Sequence, residues 1–288
     1  MTAKIIDGKQ IAADLRASTK DLVSEFVDRY NNPPTLAVVL VGEDPASQVY
    51  VKTKTKMAKE IGMNVEDHFF EKTVSEIDLL NLINQLNTSK DVNGILVQLP
   101  LPNHIDSRVI IDAIDPAKDA DGFHAINVGR NSIGGDLLKK TFTPCTPLGC
   151  YLMLKQHISD LKGMHAVIIG RSNIVGKPVS ILCQSENATV TMCHSRTKDL
   201  NHKLSDADVI IVAVGVPKFI SGDQIPEGAV VIDVGIHNID GKLCGDVDFD
   251  SAKEKASAIT PVPGGVGPMT VCALIENTII AAERINSA

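Results

Sequence analysis

His165-Ala-Val-Ile-Ile-Gly170-Arg-Ser-Asn-Ile-Val-Gly176-Lys-Pro178 is the stretch whose reading decides the fold. After His165 it is apolar and mostly β-branched, which suits a strand covered by helices on both faces. A small-residue loop follows, and Gly176 opens a helix expected over 176–186. A strand that runs through such a loop into a helix begins a βαβ unit. The first N–H groups of that helix point outward and attract anions.

Downstream of this stretch, strands are expected at Thr189–Cys193, 209–214 and 230–234, and a helix over 148–157 precedes it. Upstream the same alternation appears. Ile11, Leu15, Leu22 and Phe26 keep helical spacing after Asp7-Gly8, and Thr35–Val41 reads as a buried strand. Asp44 then offers an N-cap and Pro45 a first helical residue for a helix over 46–61. A strand at 65–70, a helix over 76–86 and a strand at 94–99, closed by Pro100, complete the first half. The expected class is α/β: two α/β domains with parallel sheets around a cleft, the second Rossmann-like. The boundary is placed near 141, giving domains 1–141 and 142–269. A last apolar-faced helix is expected over 269–284, and the carboxy-terminal segment 270–288 is expected to pack back on the first domain.

The 288 residues carry 28 basic and 35 acidic side chains, a net charge of -7 with no long single-sign block, which points away from nucleic acid and acidic membranes. The amino terminus lacks the pattern of a signal or transit peptide, and no uninterrupted apolar run approaches the roughly 18 residues of a membrane span. The six cysteines form no C-x-x-C pair and the eight histidines no H-E-x-x-H, so reduced thiols, a cytoplasmic location and no metal are expected.

The Gly170 loop departs from G-x-G-x-x-G because Ser172 replaces the second glycine, and spacing alone leaves both a tight turn and a phosphate cradle open. Its context favours the cradle. After Cys193, where an NAD enzyme carries an acid for the ribose 2′-hydroxyl, this chain has His194-Ser195-Arg196-Thr197. A hydroxyl and a guanidinium there, with Arg171 nearby, suit a 2′-phosphate, so NADP is favoured over NAD. The alternative is that Arg171 and Arg196 are only solvated surface groups.

Tyr50 and Lys54 stand four apart on the expected 46–61 helix and share a face. Lys52, Lys54, Lys56 and Lys59 also read as an ordinary solvated run. Gln98 interrupts an apolar strand near its carboxyl end, the end at which open α/β sheets bind ligands. Asp119-Ala-Asp121-Gly122 supplies two carboxylates at a turn. Thr260-Pro-Val-Pro263-Gly264-Gly265-Val-Gly-Pro-Met-Thr270 is a rigid loop that lets backbone approach a ligand, or a structural connector.

Tyr50-Val-Lys-Thr-Lys54-Thr-Lys56, Gly94-Ile-Leu-Val-Gln-Leu-Pro-Leu-Pro102, Asp119-Ala-Asp-Gly-Phe123, Pro144-Cys-Thr-Pro147, the Gly170–Pro178 run and Pro261–Thr270 together resemble the bifunctional methylenetetrahydrofolate dehydrogenase/methenyltetrahydrofolate cyclohydrolase family. The resemblance spans nearly the whole chain. It implies a homodimer acting on tetrahydrofolate derivatives, with folate in an interdomain cleft. Tyr50 would stack on it, Lys54 and Gln98 would sit at the reacting carbon, and Asp121 on the pterin edge. Leu99, Pro263, Gly264 and Gly265 would line the same site. It further implies NADP contacts from Gly170, Arg171, Ser172, Val175, Gly176, Ser195, Arg196 and Ile236. Ala120 and His237 depart from the valine and asparagine common in the family. Competing readings are a relative with dehydrogenase activity alone, which would lack Lys54, a shikimate-type NADP dehydrogenase, and a binding protein without catalysis.

Overall fold

The computed structural model describes residues 2–287. Along the chain run β1 (Lys4–Ile5), α1 (Gly8–Tyr30), β2 (Thr35–Val41), α2 (Pro45–Glu60), β3 (Asn64–Phe70), α3 (Glu76–Thr88), β4 (Gly94–Val97), α4 (Ser107–Ala113) and α5 (Ala125–Ile133). The chain continues through α6 (Cys145–His157), β5 (His165–Ile169), α7 (Gly176–Ser185), β6 (Thr189–Cys193), α8 (Leu200–Leu204), β7 (Val209–Val212) and β8 (Val230–Asp233). It closes with β9 (His237–Ile239), β10 (Lys242–Cys244), α9 (Phe249–Ala252), β11 (Ala258–Ile259) and α10 (Val266–Asn286).

Two compact units result. The amino-terminal unit holds Asp14–Thr143 and the chain from Val271; the carboxy-terminal unit holds Pro144–Thr270 and the stretch through Ala13. Sequence alone places that first stretch with residues up to 141. It clusters elsewhere because Lys4 and Ile5 form β1 parallel to Ala258 and Ile259 of β11, strands too short to show a period.

In the amino-terminal unit a parallel sheet runs β3-β2-β4. Every residue of β2 is buried, as its unbroken apolar run predicts, and Leu79, Ile83 and Ile110 of α3 and α4 join the same core. Each such side chain contributes about 2 kcal/mol through removal from water. On α1 the buried apolar side chains are Ala12, Val23 and Phe26, whereas Leu22 is 50% exposed; the apolar stripe passes one residue beyond the expected position. Asp44 caps α2 by accepting from the Ser47 N–H at 2.8 Å, with Pro45 at the first turn.

The carboxy-terminal unit has a parallel sheet ordered β1-β11-β8-β7-β5-β6. The strand order reverses at β5, with β6 on one side and β7 on the other. That is the switch point where the loops leaving two adjacent strands diverge and leave a crevice. Val167, Ile169, Ile210, Val212 and Val231 fill its core. The helix α10 is long and apolar enough by composition to cross a membrane, but 72% of its apolar window is buried inside the molecule.

Candidate active site

The buried stripe of α2 runs through Ser47, Val51, Lys54 and Ala58, at the three-and-four spacing that keeps one helix face inward. Lys54 lies in that phase, and its side chain is carried inward. Lys52, Lys56 and Lys59 are out of phase and exposed. Helical phase, not lysine content, is the signal that singles out Lys54, which is 5% exposed. Its Nζ donates to Gln98 Oε1 at 3.1 Å and lies 5.4 Å from the centre of the Tyr50 ring. Both neighbours are neutral, since burial raises the Tyr50 hydroxyl above its ordinary range.

Gln98 is the first residue beyond β4, not an interruption within it, because the strand ends at Val97. Its backbone N–H still pairs with Val39 at 2.9 Å, and its Nε2 donates to the Leu99 carbonyl at 2.7 Å. Both ends of the amide are therefore used, and Oε1 is aimed at Lys54. The Leu99-Pro100 bond is cis.

The two carboxylates of the Asp119–Gly122 turn behave differently. Asp119, 1% exposed, accepts from the N–H groups of Phe123 and His124 and from Asn127 Nδ2. Burial raises its carboxyl, and its place is structural. Asp121 is half-buried. The loop that carries it is tied to β4 by the Ile95–Asp119 bridge. It is also held by Asn277 Nδ2 on the Ala120 carbonyl at 2.9 Å and by Lys118, whose Nζ donates to the carbonyls of Leu86, Asn87 and Ser89. Lys118 and Asn277 escape sequence reading because their partners are remote in the chain. The geometry brings Tyr50 and Gln98 each against Lys54 and puts Asp121 on a separate, braced loop of the same unit.

In the carboxy-terminal unit, Gly170 follows β5 with φ +125, and a Cβ there would overlap the Ala213 carbonyl oxygen; a Cβ on Gly176 would overlap that of Gly170. Only glycine allows this loop to lie flat against the end of β7 and the start of α7. The cradle fits a dinucleotide's pyrophosphate: Arg171 and Ser172 are exposed beside the α7 N-terminus and Val175 is half-buried there. Ser172 Oγ accepts from the N–H groups of Val175 and Gly176 at 3.1 and 3.3 Å, so a hydroxyl fills the place of the missing second glycine. Ser195 and Arg196 are exposed beyond β6, and Ile236, beyond β8, is 55% exposed. Pro263 is exposed, with Gly264 and Gly265 buried behind it. The Gly264 carbonyl accepts from the Lys9 N–H at 3.1 Å.

A sequence model of the catalytic domain of tetrahydrofolate dehydrogenase/cyclohydrolase matches residues 6–121, and one of the NAD(P)-binding domain of the same enzymes matches 144–286. The chain belongs to the tetrahydrofolate dehydrogenase/cyclohydrolase family. It is 55% identical to the bifunctional protein FolD of Moorella thermoacetica over 285 residues, 99% of this chain and 100% of that one. Among solved structures, the bifunctional FolD of Campylobacter jejuni superposes with a TM-score of 0.95 at 45% identity, covering 98% of this chain and 99% of the other. The Trypanosoma brucei FolD complexed with NADP and an inhibitor gives 0.94 at 34% identity over the full length of both chains. Family membership removes the shikimate-type and binding-protein readings, and the α/β class with a Rossmann-like second unit stands.

Proposed function

We propose that the chain oxidises 5,10-methylenetetrahydrofolate with NADP and hydrolyses the resulting 5,10-methenyl cation to 10-formyltetrahydrofolate, with Lys54 serving the hydrolytic half. The observation that carries the role of Lys54 is its contact with Gln98 Oε1 at 3.1 Å from a helix face turned inward. A folate ring stacked on Tyr50 places its methylene bridge beside the Lys54 amine, and Asp121 accepts from the N–H groups of the pterin edge. Leu99, Pro263, Gly264 and Gly265 complete the substrate contacts.

NADP supplies the hydride acceptor; Gly170, Arg171, Ser172, Val175, Gly176, Ser195, Arg196 and Ile236 are the residues that hold it. For hydride transfer the protein's task is alignment of two flat rings. Hydrolysis asks more of side chains. Water adds to the cationic carbon and loses both of its protons as the carbonyl forms; the bond to one ring nitrogen breaks as that nitrogen gains one of them, so one proton is released overall. Lys54 moves a proton at Nζ, and Gln98, fixed through Leu99, keeps that nitrogen at the reacting carbon. A coupled assay on the purified protein tests this: methylenetetrahydrofolate with NADP is expected to yield NADPH, followed by decay of the methenyl absorbance. NADPH without methenyl decay would leave only a dehydrogenase.

The same reading makes the chain a cytoplasmic homodimer. Its six cysteines are all free thiols, which suits a reducing compartment. Among the described residues no strand pairs with the outer edge of β3, and Phe69 on it is 64% exposed. A groove of about 990 Å³ runs beside it, lined by Leu40, Val51 and Phe70 and by both Lys56 and Asp67. An uncovered edge strand with an exposed aromatic invites pairing, and mixed charge makes the surface complementary to its own copy. Light scattering is expected to give the mass of two chains, and Phe69→Asp the mass of one. A monomeric parent protein rejects the assignment.

A further inference from the structure

We infer that His237 is a positioning residue for NADP: through Asp246 it fixes the backbone at the carboxyl end of β7, on which the cofactor's nicotinamide half rests. Asp246 is fully buried. Its Oδ2 accepts from the N–H groups of Val214 and Gly215 at 2.7 and 3.0 Å, and its Oδ1 lies 2.7 Å from His237 Nε2. The Asp246 N–H in turn donates to Asp233 Oδ1 at 2.9 Å, and Asp233 also takes the N–H groups of Gly235 and Val247. Two buried carboxylates thus tie the loop after β7, the loop after β8 and the chain that leaves β10. A Cβ on Gly235 would overlap the Asp246 carboxylate, so nothing larger fits between them.

These loops leave adjacent strands at the edge where Gly170 leaves β5, and Ala213, next to Val214, is the residue against which Gly170 packs. Any shift of Val214 and Gly215 is therefore felt by the phosphate loop. The surface they present is apolar: Ile236 is 55% and Val216 47% exposed, a pairing suited to the face of a flat ring. His237 itself is partly exposed at 20%, against 0% for Asp246, so it shields a buried carboxylate from water and supplies the third of its hydrogen bonds. Without it, a buried acceptor oxygen loses a partner, and the β7 loop is the element that moves in response.

The inference rests on NADP occupying this edge of the carboxy-terminal unit. Titration of NADPH by its own fluorescence separates the two claims, since the chain has no Trp to interfere. Absence of binding by the unsubstituted protein would sink the assignment of the edge. Given that binding, His237→Ala is expected to weaken it about ten-fold, while hydrolysis of methenyltetrahydrofolate, assayed without cofactor, stays within about two-fold of the parent. His237→Gln, whose amide nitrogen reaches about as far as Nε2, is expected to restore most of the affinity. Unchanged NADPH affinity in His237→Ala, or failure of His237→Gln to recover any, overturns the inference. Equal loss of both functions with a lowered melting temperature also overturns it, because it would make His237 a general stabiliser.

Discussion

On the proposed reading, the two units bind their ligands by opposite means. In the amino-terminal unit the site is made of side chains carried inward: Lys54 from α2, Gln98 from the end of β4 and the Tyr50 ring. In the carboxy-terminal unit it is made of main chain brought close by glycines at 170 and 176, with side chains at its margin. Side-chain sites concentrate chemistry in one or two replaceable groups. Main-chain sites spread binding over many contacts and leave single substitutions at the margin with modest effects. Hydrolysis, which moves protons, belongs to the first kind; hydride transfer, which needs alignment, belongs to the second.

The largest expected effect therefore lies at Lys54. Lys54→Met keeps the length and apolar stem of the side chain and removes the amine, so methenyl hydrolysis should fall by about three orders of magnitude while part of the dehydrogenase activity survives. Separate assays of the two reactions on the same preparation check it. Hydrolysis that persists in the folded variant would erase the contrast between the units, because no side chain would then dominate either site.

A smaller effect is expected where exposed groups meet the 2′-phosphate. Arg171 and Ser195 are both exposed, and ion pairs at such positions are weakened by solvent. Replacing both with Ala should reduce the preference of kcat/KM for NADP over NAD by about ten- to a hundred-fold, chiefly through KM for NADP, with hydrolysis unaffected. If NAD already serves the parent protein equally well, these residues are not the discriminator.

How far each site could be read in the sequence follows from the same contrast. The strand, loop and helix around Gly170 were legible because local chemistry specifies them: an apolar run, small residues and a helix start. Lys54 was legible only in part. Its neighbours Lys52, Lys56 and Lys59 are solvated, as the plain reading of a lysine run holds, and what separates Lys54 from them is phase on α2, which Tyr50 alone does not reveal. Leu22 shows the same limit, since a spacing of four from Phe26 admits it while the packed face takes Val23 instead. Less legible still were contacts made across long loops. Asn277 reaches Ala120 across a separation of 157 residues, and the two-residue strands β1 and β11 carry too few positions for any period. His237 and Asp246 stand nine apart, and the signal that joins them is local: Asp240-Gly241, with φ positive at both residues, is the two-residue turn of the β9–β10 hairpin, a short-range cue that the strand expectations above do not include.

A separate effect, on stability and not on activity, concerns the buried carboxylates that hold the main-chain site together. Burial pushes the Asp233 carboxyl from an ordinary 3.8 up to about 6, against the pull of its three backbone N–H bonds. Between those values the folded chain keeps a proton that the unfolded chain has released. The contribution of this group to stability is thus full below about pH 4 and fades as pH rises through 6. The shift of about two units corresponds to about 3 kcal/mol. Asn does not titrate, so Asp233→Asn should be less stable than the parent, by a margin that shrinks between about pH 4.5 and pH 7.5. Urea denaturation of both proteins at the two pH values measures that margin. Growth of the margin with pH would mean that the backbone N–H groups, not burial, dominate Asp233, making its carboxylate as purposeful a part of the carboxy-terminal unit as Lys54 is of the other.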